Sequence, residues 1–132
     1  MLLFQFQGIA EEWLSKDWAN FRAWARHPDA DAVIEELEAT KAIAPGLNWY
    51  RAKLPPERSV KLAPELPAVQ APTLGAWSSG DVALTEEQMT GSKKYVSGSF
   101  RYERIDDVGH WMQLEAPEEV NRLLLDFLPE TT

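Results

Sequence analysis

Two residues in this chain have the type and placing for acid–base chemistry. His110 stands in "VGHWMQLE", directly after a charged, strand-like segment, and Asp81 closes "SSGD" after a short apolar run. Imidazole is the side chain whose ordinary titration lies nearest neutrality. A carboxylate holding one ring nitrogen fixes the tautomer and leaves the other nitrogen basic. Both residues also have ordinary readings. An aspartate after glycine is a common turn residue, and a histidine beside tryptophan is commonly a hydrogen-bonded structural residue. What separates these readings is whether the surrounding elements bring Asp81 and His110 together.

The second half of the chain predicts such elements. "PTLGAW", residues 72 to 77, reads as a buried strand ending in a turn. "TEEQ", starting at Thr85, is a capping-box pattern that opens a short helix to about Thr90. "SFRYERI", residues 99 to 105, reads as a second strand. Pro117 suits the first turn of a closing helix, with Glu118 and Glu119 at its positive end. Val120, Leu123, Leu124, Phe127 and Leu128 form one apolar face of that helix. Strand, helix, strand, helix predicts α/β architecture with a parallel strand pair and a crossover helix. In such sheets functional groups collect beyond the carboxyl ends of the strands, where Asp81 and His110 fall. Two parallel strands are a small sheet for this type, which is normally buried on both faces.

The first half reads as helical. Ile9, Trp13, Leu14, Phe21, Trp24 and Ala25 predict one helix over residues 9 to 27. Pro28 stops it, and Asp29 caps a second helix over about 30 to 42. "APGLNWYRAKLPPE" reads as a turn, one short helical or extended piece and another turn. Five prolines between Pro55 and Pro72 suggest a linker. The expected division is a helical segment at 1–55, a proline-rich linker at 56–71 and a β-α-β-α part at 72–132.

Composition narrows the function. The chain has 132 residues and a net charge of -8, which argues against nucleic acid as a partner. There are no cysteines, and the only histidines, His27 and His110, lie far apart, so neither a metal nor another cofactor is expected. "MLLFQFQG" lacks the basic flank and cleavage site of a signal peptide, and no run reaches membrane-spanning length. A cytoplasmic protein without membrane contact is the expectation. Six tryptophans need a sizeable core or a partner surface to cover them.

"LNWYRA" at 47–52, "PTLGAWSSGD" at 72–81 and "GHWMQLEAPEEVNRLLLDFL" at 109–128 together resemble the carboxyl-terminal part of an α/β-hydrolase, in the epoxide-hydrolase-like branch. The resemblance implies a partial α/β-hydrolase fold, with a helical cap followed by the last two core strands and last helix. It implies that Asp81 is the charge-relay acid. His110 would be the general base that activates water against a covalent ester intermediate. Tyr50 would be a cap tyrosine that hydrogen-bonds an epoxide oxygen. Trp49 and Trp111 join Tyr50 as expected substrate-binding residues. Two features depart from the family pattern. The region matching a second cap tyrosine, "MLLFQFQG", has none, which leaves ester hydrolysis open beside epoxide opening. No G-x-S-x-G elbow, aspartate equivalent or oxyanion-hole segment is found.

Three readings follow. The chain is a carboxyl-terminal piece of a hydrolase for small molecules, retaining acid and base, inactive alone and completed by an amino-terminal half. Alternatively, it is an interaction protein that self-associates through an exposed sheet edge and cap. The third reading is a small hydrolase activating water directly with Asp81 and His110. It ranks last, because nothing visible stabilises the developing charge.

Overall fold

A computed structural model describes residues 2–53 and 67–128. The chain divides into two compact units, Met1–Glu65 and Leu66–Thr132. The expected linker at 56–71 lies outside the described residues up to 66. Its last part is structured, with Val69 forming a parallel bridge to Val96.

The described residues of the first unit form only helices and the turns between them. A 3-10 turn at Leu2–Gln5 is followed by α1 (Ile9–Ser15), α2 (Ala19–Ala25), α3 (Ala30–Thr40) and α4 (Ile43–Lys53). The single helix expected over 9–27 is broken, because Asp17 and Trp18 take left-handed backbone at φ 53° and 59°. The break is stabilised locally. The Asp17 carboxylate accepts the Ala19 N–H at 3.1 Å, and the Asn20 amide donates to the Trp13 carbonyl at 2.8 Å. It also aims the Trp18 indole at α3, where its N–H donates to Glu38 at 2.7 Å. Asp29 holds the N-cap position of α3 without a side-chain cap bond. Its own N–H instead donates to His27 Nδ1 at 3.0 Å.

α4 replaces the expected turn-and-piece reading of "APGLNWYRAK". Pro45 falls in the helix's first turn, where an amide has no intrahelical partner to lose. Phe4, Ala10, Leu14, Phe21, Ala25, Ile34 and Leu47 form the core, with Trp18, Val33 and Tyr50 packed against it. Across it Arg51 clamps three segments. Its guanidinium bonds both Glu11 oxygens at 2.7 and 3.0 Å and the Phe4 carbonyl at 2.8 Å. Both side chains of this pair are less than a fifth exposed. The Arg51 bond holds the Glu11 carboxyl below its ordinary value, against burial that pushes it up.

In the second unit β1 (Thr73–Ser78) and β2 (Phe100–Ile105) pair in parallel, from Thr73↔Phe100 to Ser78↔Ile105. α5 (Glu86–Gly91) lies between them in sequence, and Thr85 and Gln88 close the expected capping box. After β2 come a single turn, α6 (Met112–Glu115), and α7 (Pro117–Phe127), with Pro117 in its first turn. Gly75, Trp77, Ser78, Ile105 and Leu123 are the buried residues among those described here. The expected apolar face of α7 is only partly covered. Leu123 is buried, whereas Leu124 and Leu128 are 44% and 55% exposed. The helix's apolar face is wider than what the described residues lay against it. Arg101 on β2 reaches Asp126 on α7 at 2.8 Å, so an ion pair adds to the tie between helix and sheet.

The clamp yields a prediction for the first unit. Arg51→Ala leaves the Glu11 carboxylate largely covered and without its bidentate partner, a cost of about 2 kcal/mol. Hydrogen exchange on the full chain should then show α1 amides exchanging roughly 30-fold faster, with β1 and β2 amides unchanged. Unchanged exchange in α1 would assign the clamp no energetic role.

Candidate functional site

The parallel pairing ends both strands on one edge, so the loops after Ser78 and Ile105 leave side by side. Four bonds join these loops. The Ser79 N–H donates to the Ile105 carbonyl at 2.9 Å, and the Gly80 N–H to the Val108 carbonyl at 2.8 Å. The Asp107 N–H donates to Ser79 Oγ at 2.8 Å, and the Ser78 hydroxyl donates to the Gly109 carbonyl at 2.6 Å. Gly80 is required by this closeness, since a Cβ there would meet the Val108 carbonyl oxygen at 2.7 Å.

This frame brings Asp81 to His110. Asp81 Oδ2 lies 2.9 Å from His110 Nδ1. Oδ1 accepts the N–H groups of Ala83 and Leu84 at 2.7 and 3.0 Å. The Asp81 side chain is 4% exposed and the His110 ring 38%. Burial pushes the Asp81 carboxyl up, but the His110 ring and the two amides together outweigh it and hold the group below its ordinary range. An ionised carboxylate only accepts hydrogen bonds, so Nδ1 carries the proton and Nε2 is the basic nitrogen. The carboxylate is covered and the imidazole is open to solvent, a geometry that general-base chemistry would need.

The acid's loop is itself anchored. The Trp77 indole N–H donates to the Leu84 carbonyl at 3.0 Å, and Arg104 stacks over the Trp77 ring at 5.4 Å. Trp111 stands edge-on to the His110 ring, with centroids 5.5 Å apart. The other two residues singled out in the sequence lie on α4 of the first unit. Tyr50 packs its ring edge-on against Phe4 at 5.1 Å, and Trp49 is 68% exposed.

Sequence reasoning missed the residues that hold the pair in place. Ser78 and Ser79, adjacent to each other after an apolar run, look like nucleophile candidates by type, yet both hydroxyls join the two loops. Glu115 was also missed. Its carboxylate accepts the N–H groups of Gly109 and Trp111, on either side of His110. Periodicity carries no signal for such bonds between a side chain and distant amides. Among the described residues no group of three or more His, Asp or Glu could hold a metal ion. No described helix is long and apolar enough to cross a membrane.

No family model matches the chain. It is, however, similar to several curated proteins. It is 33% identical over 112 residues to epoxide hydrolase A of Mycobacterium tuberculosis, which covers 83% of this chain and 34% of the relative. It is 37% identical over 102 residues to epoxide hydrolase 3 of Xenopus tropicalis, covering 77% and 26%. A 24-residue stretch, 18% of the chain, is 83% identical to epoxide hydrolase B of M. tuberculosis. The chain thus spans about a third or less of the length of the curated relatives it matches.

The direction of the Asp81 shift gives a pH prediction. A carboxyl whose folded pKa is depressed adds stability above its unfolded pKa, and that stability is lost as pH falls through the folded one. The Asp81–His110 contact should therefore persist as pH falls past the ordinary aspartate value of 3.8 and be lost below it. A carbon-13 NMR titration of the Asp81 carboxyl should give a midpoint under 3.8. A midpoint at or above that value would show that burial dominates.

Proposed function

The family resemblance of this chain is to the epoxide-hydrolase-like α/β-hydrolases, and on that premise we propose that it contributes the acid–base part of a hydrolase site acting on epoxides or esters. The single observation that carries this reading is the 2.9 Å contact between Asp81 and His110 Nδ1 at the carboxyl ends of two parallel strands. In this role His110 Nε2 takes a proton from water as the water attacks the carbonyl of a covalent ester intermediate. Asp81 keeps the ring in position and stabilises the imidazolium that forms.

The nucleophile comes from outside these 132 residues. They contain no G-x-S-x-G elbow, and both Ser78 and Ser79 are engaged in joining loops. Base and acid without nucleophile or oxyanion donors have little covalent chemistry to perform, so the chain alone is proposed to be inactive. For Tyr50, Trp49 and Trp111 the resemblance alone supports a place in substrate binding.

The test pairs this chain with an amino-terminal segment carrying an elbow, and measures turnover of an aryl epoxide and a chromogenic ester. The chain alone should run at background, with His110→Ala no different. In the reconstituted protein His110→Ala should cost about 10²–10⁴-fold and leave a covalent ester adduct visible by mass. A His110-dependent rate from the chain alone would replace this reading with direct activation of water.

A second reading, that of a self-associating interaction protein, has one favouring observation. Leu124, Leu125 and Leu128 leave the last helix between 44% and 69% exposed. Size-exclusion chromatography at micromolar concentration should show a dimer or larger species if that face is buried between copies. A monomer would remove this reading.

A further inference from the structure

His110 is the middle residue of a three-residue segment whose backbone is held from two sides. On one side the fully buried Ser78 hydroxyl donates to the Gly109 carbonyl at 2.6 Å. On the other, Glu115 Oε2 accepts the Gly109 N–H at 2.9 Å and Oε1 accepts the Trp111 N–H at 3.3 Å. The two bonded amides flank His110, so one carboxylate spans the residue that carries the ring. Glu115 reaches back because it closes the single turn of α6, whose Leu114 and Glu115 amides both donate to the Trp111 carbonyl. Gly109 makes room for the carboxylate. A Cβ there would sit 2.7 Å from Glu115 Oε1 and 2.9 Å from Oε2.

We propose that Glu115 is a positioning residue for His110, its carboxylate bridging the amides of Gly109 and Trp111 to hold the imidazole on Asp81. Its chemical importance rests on the general-base role proposed for His110, but its physical effect does not. Asp81 fixes the ring only if the backbone under the ring is itself fixed. Charge-assisted bonds from a carboxylate to two amides are a strong way to do that without covering Nε2.

The test reads the ring directly in the full, nitrogen-15-labelled chain, with no substrate. The wild type should show a protected His110 Nδ1 proton and ring nitrogen shifts of the Nδ1–H tautomer. Glu115→Ala should speed exchange of that proton by about tenfold or more and average the ring shifts, while β1 and β2 amides keep their protection. Gly109→Ala supplies a second variant. Gly109 has no left-handed backbone to strain, and the added methyl meets only the far end of a flexible side chain. It should displace the carboxylate and reproduce the loss. A His110 ring unchanged in either folded variant would overturn the proposal and leave Glu115 a merely structural role. A chain inert in every hydrolysis assay would bear on the proposed function and leave this readout intact.

Discussion

The second unit depends on the parallel register of β1 and β2, which ends with Ser78 opposite Ile105. Parallel pairing sets the carboxyl ends of both strands on one edge, and equal ends let two loops leave together. Everything at the site follows from that placement. Gly80 meets Val108, Ser78 reaches Gly109 and Asp81 reaches His110, all across the same gap. A slip of one residue would send Trp77 and Ser78 each to the face the other now occupies and break all three. The chemistry is thus placed by backbone hydrogen bonds, and the side chains refine it.

The two units reach order by different means. The first has seven buried apolar residues among those described and a guanidinium that fixes three segments at once. The second has few buried residues among those described, and relies on loop-to-loop bonds and capped turns. Its charged residues are placed accordingly. Arg104 pairs with Glu86 and Asp106, and Tyr102 donates to Glu86 at 2.7 Å. Burial and the Glu86 carboxylate push the Tyr102 hydroxyl up to about 12. These contacts pin the start of α5 to β2.

Much of the second unit was legible in the sequence because its signals are local. A capping box, a proline at a helix start and two short strand-like segments, one apolar and one charged, each have a direct structural meaning, and each appears where expected. The meeting of Asp81 and His110 was legible from their positions after the two strands. The break at Lys16 to Trp18 was not, because it depends on a tryptophan turning toward α3, a tertiary choice that overrides helical periodicity. Only the start of α4 was misread, because Pro45 and Gly46 look like a turn, yet both are tolerated in a first turn. Glu115 was invisible for another reason. Its partners are backbone amides, which every sequence supplies and none advertises.

One detail of Asp81 has a wider consequence. Its two oxygens are divided, one holding the amides of Ala83 and Leu84 and the other the imidazole. The same carboxylate therefore ties its own loop and the imidazole together. Order in the loop and order in the ring are a single cooperative event. An imidazole held in this way loses its partner whenever residues 81 to 84 come apart, whether or not the strands behind them do.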